Sequence, residues 1–147
     1  MTTAALERLL DEAALRRCAE LYARGADRRD KALWRDVLSA ECKITGPGFN
    51  IKGLEANLGS IDHLGEMFRG TLHRIHNQVV EIDGDRAAGE TCCTADHLLK
   101  DSDQVLRWSI RYQDEWRREA GQWRFIARAL IVDWEELVPV TPKGEQP

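Results

Sequence analysis

The chain lacks an apolar run of membrane-spanning length, and Met1 to Leu10 carries Glu7 and Arg8 among its apolar residues. Neither a transmembrane helix nor the uninterrupted apolar core of a signal peptide is therefore expected, which makes the cytoplasm the expected location and a membrane an unexpected partner. No basic stripe is present either: 25 acidic and 21 basic residues are interspersed, for a formal net charge of -4. That balance argues against nucleic acid as a partner. Gly-x-Gly-x-x-Gly, P-loop and Gly-x-Ser-x-Gly patterns are missing, which removes support for a nucleotide cofactor or a serine hydrolase; no cofactor is expected. Cys18, Cys42, Cys92 and Cys93 lack C-x-x-C spacing and read as free thiols filling small core spaces. There is no internal repeat and no low-complexity block.

What is present suits one core. Of the 147 residues, 43% are hydrophobic and 31% charged, the balance of a single folded domain, expected over 1–138 with a flexible tail at 139–147. Leu6, Leu9, Leu10, Ala13, Ala14, Cys18, Leu21 and Tyr22 form an apolar stripe on a first helix ending near Gly25. A shorter second helix begins near Arg28 or Asp30 and runs to Leu38, and a third spans Leu54 to Phe68, closed by Gly70. Between the second and third helices, Cys42 to Thr45 and Phe49 to Lys52 read as two short strands. From Thr71 the period shortens to two, predicting strands over Thr71–Ile82, Arg86–Lys100, Gln104–Arg118 and Gln122–Trp134 with tight turns between them. Three helices followed by a long meander predict an α+β fold, helices covering one face of a strongly curved, mostly antiparallel sheet.

Alternation sets His73 beside Ile75 and Val79, and His97 beside the small residues Thr91, Cys93 and Ala95, so that two histidines face one apolar surface. Taken alone, an inward histidine is most often a hydrogen-bonded core residue, and a catalyst is the second reading. Asp27, with Asp30 three residues on, reads most simply as a helix N-cap, and Tyr22 as a packing residue. His73, His76, His97 and Asp27 or Asp96 supply metal-ligand types. His73 and His76, however, have odd spacing on a strand and diverge, so no metal site is expected.

Four segments together carry a resemblance: Tyr22-Ala-Arg-Gly-Ala-Asp27 with Trp34 following, Thr71-Leu-His73, Val80 to Gly89, and Asp114 to Phe125. In order and spacing the chain resembles the SnoaL-like branch of the nuclear-transport-factor-2 superfamily, which includes scytalone dehydratase, hexachlorocyclohexane dehydrochlorinase and bile-acid 7α-dehydratase. The resemblance implies a cone-shaped fold in which Asp27 and His73 form a catalytic pair, His73 as general base. His97 matches a second pocket histidine, and Tyr22 a tyrosine five residues before the aspartate. Phe68, Ile75, Tyr112 and Arg128 are the expected substrate-contacting residues. The chain departs from the pattern at Ala26, where scytalone dehydratase has Tyr, and at Val132, where the bile-acid enzyme has Arg. The implied activity is cofactor-independent elimination from a small hydrophobic cyclic or ketone-bearing substrate. An isomerase or aldol-type cyclase using the same base is the alternative, and a non-catalytic ligand-binding or assembly module is the other. In the elimination, His97 or Tyr22 is expected to donate the proton. Trp108, Trp116, Trp123 and Trp134 are expected to supply an exposed sheet face for a homodimer or homotrimer.

Overall fold

In the computed structural model, which describes residues 1–144, the elements follow in the order α1 (Thr3–Arg28), α2 (Lys31–Val37), β1 (Leu38–Gly46), β2 (Phe49–Lys52), α3 (Leu54–Met67), β3 (Phe68–Asp83), β4 (Arg86–Leu99), β5 (Gln104–Glu119) and β6 (Gln122–Pro139). The strands make one six-stranded sheet in the order β2-β1-β6-β5-β4-β3. Every neighbouring pair is antiparallel except β1 and β6. The architecture is the expected α+β cone: helices cover the inner face of a curved, open, mostly antiparallel sheet, and the core lies between them. Among the described residues no helix is long and apolar enough to cross a membrane. Of the expected tail, Pro139 ends β6 and the Val140 N–H donates to Asp103 O at 3.1 Å; residues 145–147 lie outside the described residues.

Helix α1 starts at a Thr2 cap, whose hydroxyl accepts from Ala5 N at 3.1 Å. Its buried stripe is shorter than the sequence suggests. Leu15, Cys18, Ala19, Tyr22, Ala23 and Ala26 are buried, whereas Leu6, Leu9 and Leu10 are exposed. The helix also runs past Gly25 to Arg28. Gly25 instead serves close packing: a Cβ there would stand 2.4 Å from Trp34 Cδ1. The Trp34 ring therefore lies flat on Tyr22, centroids 4.5 Å apart, with its Nε1 donating to Tyr22 O at 2.8 Å.

Helix α3 gives way directly to β3, and Gly70 sits inside the strand at a bulge, where Phe68 and Gly70 face Leu99 and Leu98. A second bulge between Ile75 and Gln78 inserts one extra residue in β3. An inserted residue reverses the alternation beyond it. His73 and Ile75 therefore keep the expected inward face, but Val79 turns out, 67% exposed, while Gln78 and Val80 turn in.

Two further bulges act on β6. One, opposite Glu115 and Trp116, places Phe125 and Arg128 on the same inner face despite their odd spacing. The other, opposite Ser109 and Ile110, turns Trp134 outward at 68% exposure. The tryptophans expected on an outer face divide accordingly: Trp116 and Trp123 are buried in the core, Trp108 packs half-buried on the inner face, and Trp134 stands out.

Candidate active site

The end of α1, the start of β3 and the middle of β4 meet at Asp27. The residue lies within the last turn of α1, where the helix dipole disfavours a carboxylate, and three donors offset that cost. The backbone N–H of His73 donates to Oδ2 at 2.8 Å, the Thr71 hydroxyl donates to Oδ1 at 3.0 Å, and His73 Nδ1 stands 2.7 Å from Oδ1. This corrects the capping expectation. The cap of α2 is Asp30, whose Oδ1 accepts from Ala32 N at 3.0 Å and Leu33 N at 3.4 Å. Because α1 continues through Arg28, Asp27 is already inside a helix and its side chain is free for β3.

An ionised carboxylate only accepts, so Nδ1 of His73 carries the hydrogen and Nε2 presents a lone pair. Both side chains are well covered, with 9% of His73 and 13% of Asp27 accessible. Opposite His73 on β4 stands the small, buried Ala95. His97, paired with Thr71, is the diagonal neighbour on the same face, and the two imidazoles stand edge to face with centroids 6.1 Å apart. Phe68 and Trp108 pack on the His97 ring at 4.8 and 5.1 Å.

The role expected of His97 changes with its hydrogen bond. Its Nδ1 lies 3.0 Å from Leu106 O. A carbonyl only accepts, so the ring's hydrogen is on Nδ1, and Nε2 is an acceptor instead of a proton donor. Burial pulls the group down from 6.5 to about 4, against the opposing effect of the Leu106 bond, so the ring is neutral at neutral pH. Between pH 6.5 and about 4, the unfolded chain binds a proton that the folded chain refuses, so stability falls as the pH falls through that window. At up to about 1.4 kcal/mol per pH unit, about 2 kcal/mol is lost to this histidine between about pH 6.5 and about pH 5. Urea unfolding near pH 7.5 and pH 5 checks this. His97→Gln should lose correspondingly less stability than the wild type, and equal losses would contradict the neutral buried ring.

Tyr22, Tyr112 and Arg128, also expected at the site, form a second cluster. Arg128 is fully buried and pairs with Asp114 through two bonds of 2.8 and 3.2 Å. Asp114 also accepts from Thr91 Oγ1 at 2.8 Å. The guanidinium stacks on Tyr112 at 3.5 Å, Tyr22 at 4.3 Å and Phe125 at 4.5 Å. Its burial works against its charge, but Asp114 holds it well above the usual arginine range. Arg128 Nη1 has no partner among the described residues. Burial pushes the Tyr22 and Tyr112 phenols above their ordinary range, so both keep their protons. The structure thus brings Asp27, His73, His97 and Phe68 together at one level and Tyr22, Tyr112 and Arg128 at another, with Cys93 and Ala95 of β4 between them. Ile75 follows His73 on the inner face and packs against the core.

Residues 7–129 match the SnoaL-like domain. The chain belongs to that family. A hexachlorocyclohexane dehydrochlorinase, LinA type 2, superposes with a TM-score of 0.87 at 22% identity, over 95% of this chain and 99% of that one. The Kfla4162 protein of Kribbella flavida gives 0.81 at 25% identity, over 88% and 95%. A scytalone dehydratase-like protein of Novosphingobium aromaticivorans gives 0.81 at 20% identity, over 95% and 94%. These likenesses establish the fold of the nuclear-transport-factor-2 superfamily. No curated protein matches the chain.

Sequence reasoning missed several residues of this SnoaL-like domain. Thr71 was within reach, since it precedes His73 by two on one face. Asp114 was not, because its partner Arg128 turns inward only through a bulge in β6. Arg29, whose Nη1 donates to Thr71 Oγ1 at 3.1 Å, carries no periodic signal. Among the described residues, no group of three or more His, Cys, Asp or Glu could hold a metal ion. Two surface grooves, one along Glu81, Arg86 and Glu115 and one along Lys43, Gly89 and Ala129, include neither His73 nor Asp27.

Proposed function

We propose that this SnoaL-like domain is a cofactor-independent lyase acting on a small hydrophobic cyclic or ketone-bearing substrate, with His73 as general base and Asp27 as its orienting partner. The observation that carries this reading is the set of three bonds on Asp27. They commit the carboxylate to one position and leave His73 Nε2 as the ring's single proton acceptor. A neutral imidazole whose Nδ1–H is engaged offers Nε2 as a base for a proton on carbon beside a carbonyl. Asp27 then stabilises the imidazolium that forms. The names of two similar structures, a dehydrochlorinase and a dehydratase-like protein, refer to eliminations and support that outcome.

Because His97 offers an acceptor, the proton for a departing hydroxyl comes from His73 itself. Nε2–H delivers to the leaving oxygen on the same face from which it took the carbon proton, so the elimination is a syn process. His97 Nε2 suits a substrate O–H or N–H donor, and selects substrates that carry one next to the reacting carbon. The unpartnered Arg128 Nη1 is a buried donor for a carbonyl or hydroxyl oxygen at the far end. Isomerisation is the second reading, favoured by the same single shuttle: a base that holds the proton it has removed can return it to another carbon. A pure binding module has no need of the committed His73–Asp27 pair.

The test is incubation with a panel of cyclic β-hydroxyketones in D2O, followed by NMR and ultraviolet absorbance. Enone formation is the expected result, α-deuteration without enone indicates isomerase chemistry, and a panel with neither would sink the general-base reading.

A further inference from the structure

Helix α1 ends on an unusual residue. Arg29 occupies the left-handed region, φ 55 and ψ 37, where a helix stop usually has glycine or asparagine. For an arginine this conformation costs about 1 kcal/mol. The backbone turn sends the side chain back over the last turn of α1, where its Nη1 donates to Ala26 O and, at 3.1 Å, to Thr71 Oγ1. The Thr71 oxygen accepts this bond, and its own hydrogen goes to Asp27 Oδ1 at 3.0 Å. Asp27 Oδ1 in turn accepts from His73 Nδ1 at 2.7 Å. A cation, a hydroxyl, a carboxylate and an imidazole are thus linked: the Arg29 bond polarises the Thr71 hydroxyl toward Asp27, and the Thr71 and His73 donors converge on the same carboxylate oxygen.

The charges decide what this does. His73 bonds Asp27 from the end of α1 and stands edge to face with His97 of β4, and Arg29 reaches the ring through Thr71 and Asp27; Asp96, on the opposite face of β4, is engaged by Arg74 and Arg107. Were Asp27 the sole charge beside the ring, it would favour the imidazolium, a form that cannot accept a proton. The half-buried Arg29 guanidinium opposes that field; burial pulls its pKa below the ordinary arginine value, and the Asp27 charge works against that shift. We propose that Arg29 is a positioning residue of this site: acting through the Thr71 hydroxyl, it holds Asp27 in register and offsets its charge, so that His73 remains in the neutral, proton-accepting form. The inference rests on the general-base reading for its catalytic meaning, but its test needs no substrate.

The experiment is an NMR titration of the His73 ring in the full chain, with Arg29→Gln, Arg29→Lys and Arg29→Gly variants. In Arg29→Gln the titration midpoint should rise by roughly 0.5–1 pH unit, and in Arg29→Lys, which keeps the charge, by less than half of that. Arg29→Gly is the decisive variant, because glycine adopts the left-handed conformation without steric cost and preserves or improves the helix stop. It should keep or raise the melting temperature and yet shift the midpoint as Arg29→Gln does. An unchanged midpoint in the Gln and Gly variants would overturn the proposal while leaving His73 as base untouched. A shift in Arg29→Lys as large as in Arg29→Gln would overturn charge as its cause.

Discussion

His73→Ala is expected to lower turnover of any accepted substrate by about 10²- to 10⁴-fold, the usual worth of a positioned general base. Its melting temperature should change little, because the side chain leaves from a spot facing the small Ala95 and hands back only one hydrogen bond. Two measurements check it: steady-state rates with an elimination substrate, and thermal unfolding of the same preparation. Retention of full activity in a folded variant would remove His73 from the mechanism. Restored activity on adding imidazole would identify the missing group as a base, since a free imidazole can enter the space that Ala leaves.

Asp27→Asn is expected to cost about as much, roughly 10²- to 10⁴-fold, for a reason that the hydrogen bonds make specific. The backbone N–H of His73 cannot turn away, so the amide oxygen must take the Oδ2 position. The amide nitrogen then occupies the Oδ1 position and points hydrogens at His73 Nδ1 and the Thr71 hydroxyl. Thr71 can rotate its hydroxyl to accept. His73 can accept only by carrying its hydrogen on Nε2, which turns the open nitrogen from acceptor to donor. Nitrogen-15 NMR of the ring reports that exchange of tautomers directly, alongside the rate. If Asp27→Asn merely lowers stability by about 1 kcal/mol and leaves the rate alone, Asp27 is structural.

Much of the fold was legible because its signals are local. The period-two pattern after Thr71 marks four strands whose ends at the three turns, at 83, 86, 99, 104, 119 and 122, lie within a residue of those expected, since short polar turns separate them; the outer ends were missed, β3 starting at Phe68 instead of Thr71 and β6 running to Pro139 instead of Trp134. The candidate site was half legible. Asp27 and His73 could be named from their resemblance to a family, but capping was the stronger local reading of Asp27. The competition was decided by where α1 stops, three residues beyond Gly25. His97 was found on the correct face, but the Leu106 carbonyl that its Nδ1 bonds belongs to a different strand and gives no local signal.

By itself the sequence determined which faces are apolar, where turns interrupt them and which chemical groups are available: these depend on neighbours a few residues apart. The tertiary structure alone decided how far each apolar stripe finds a partner, as the exposed Leu6, Leu9 and Leu10 illustrate, and on which side of a bulge each later side chain falls. It also decided which nitrogen of each site histidine has a partner. A histidine's open nitrogen is whichever one its partner leaves free, and those partners, Asp27 for His73 and Leu106 for His97, stand 46 and 9 residues away in the chain.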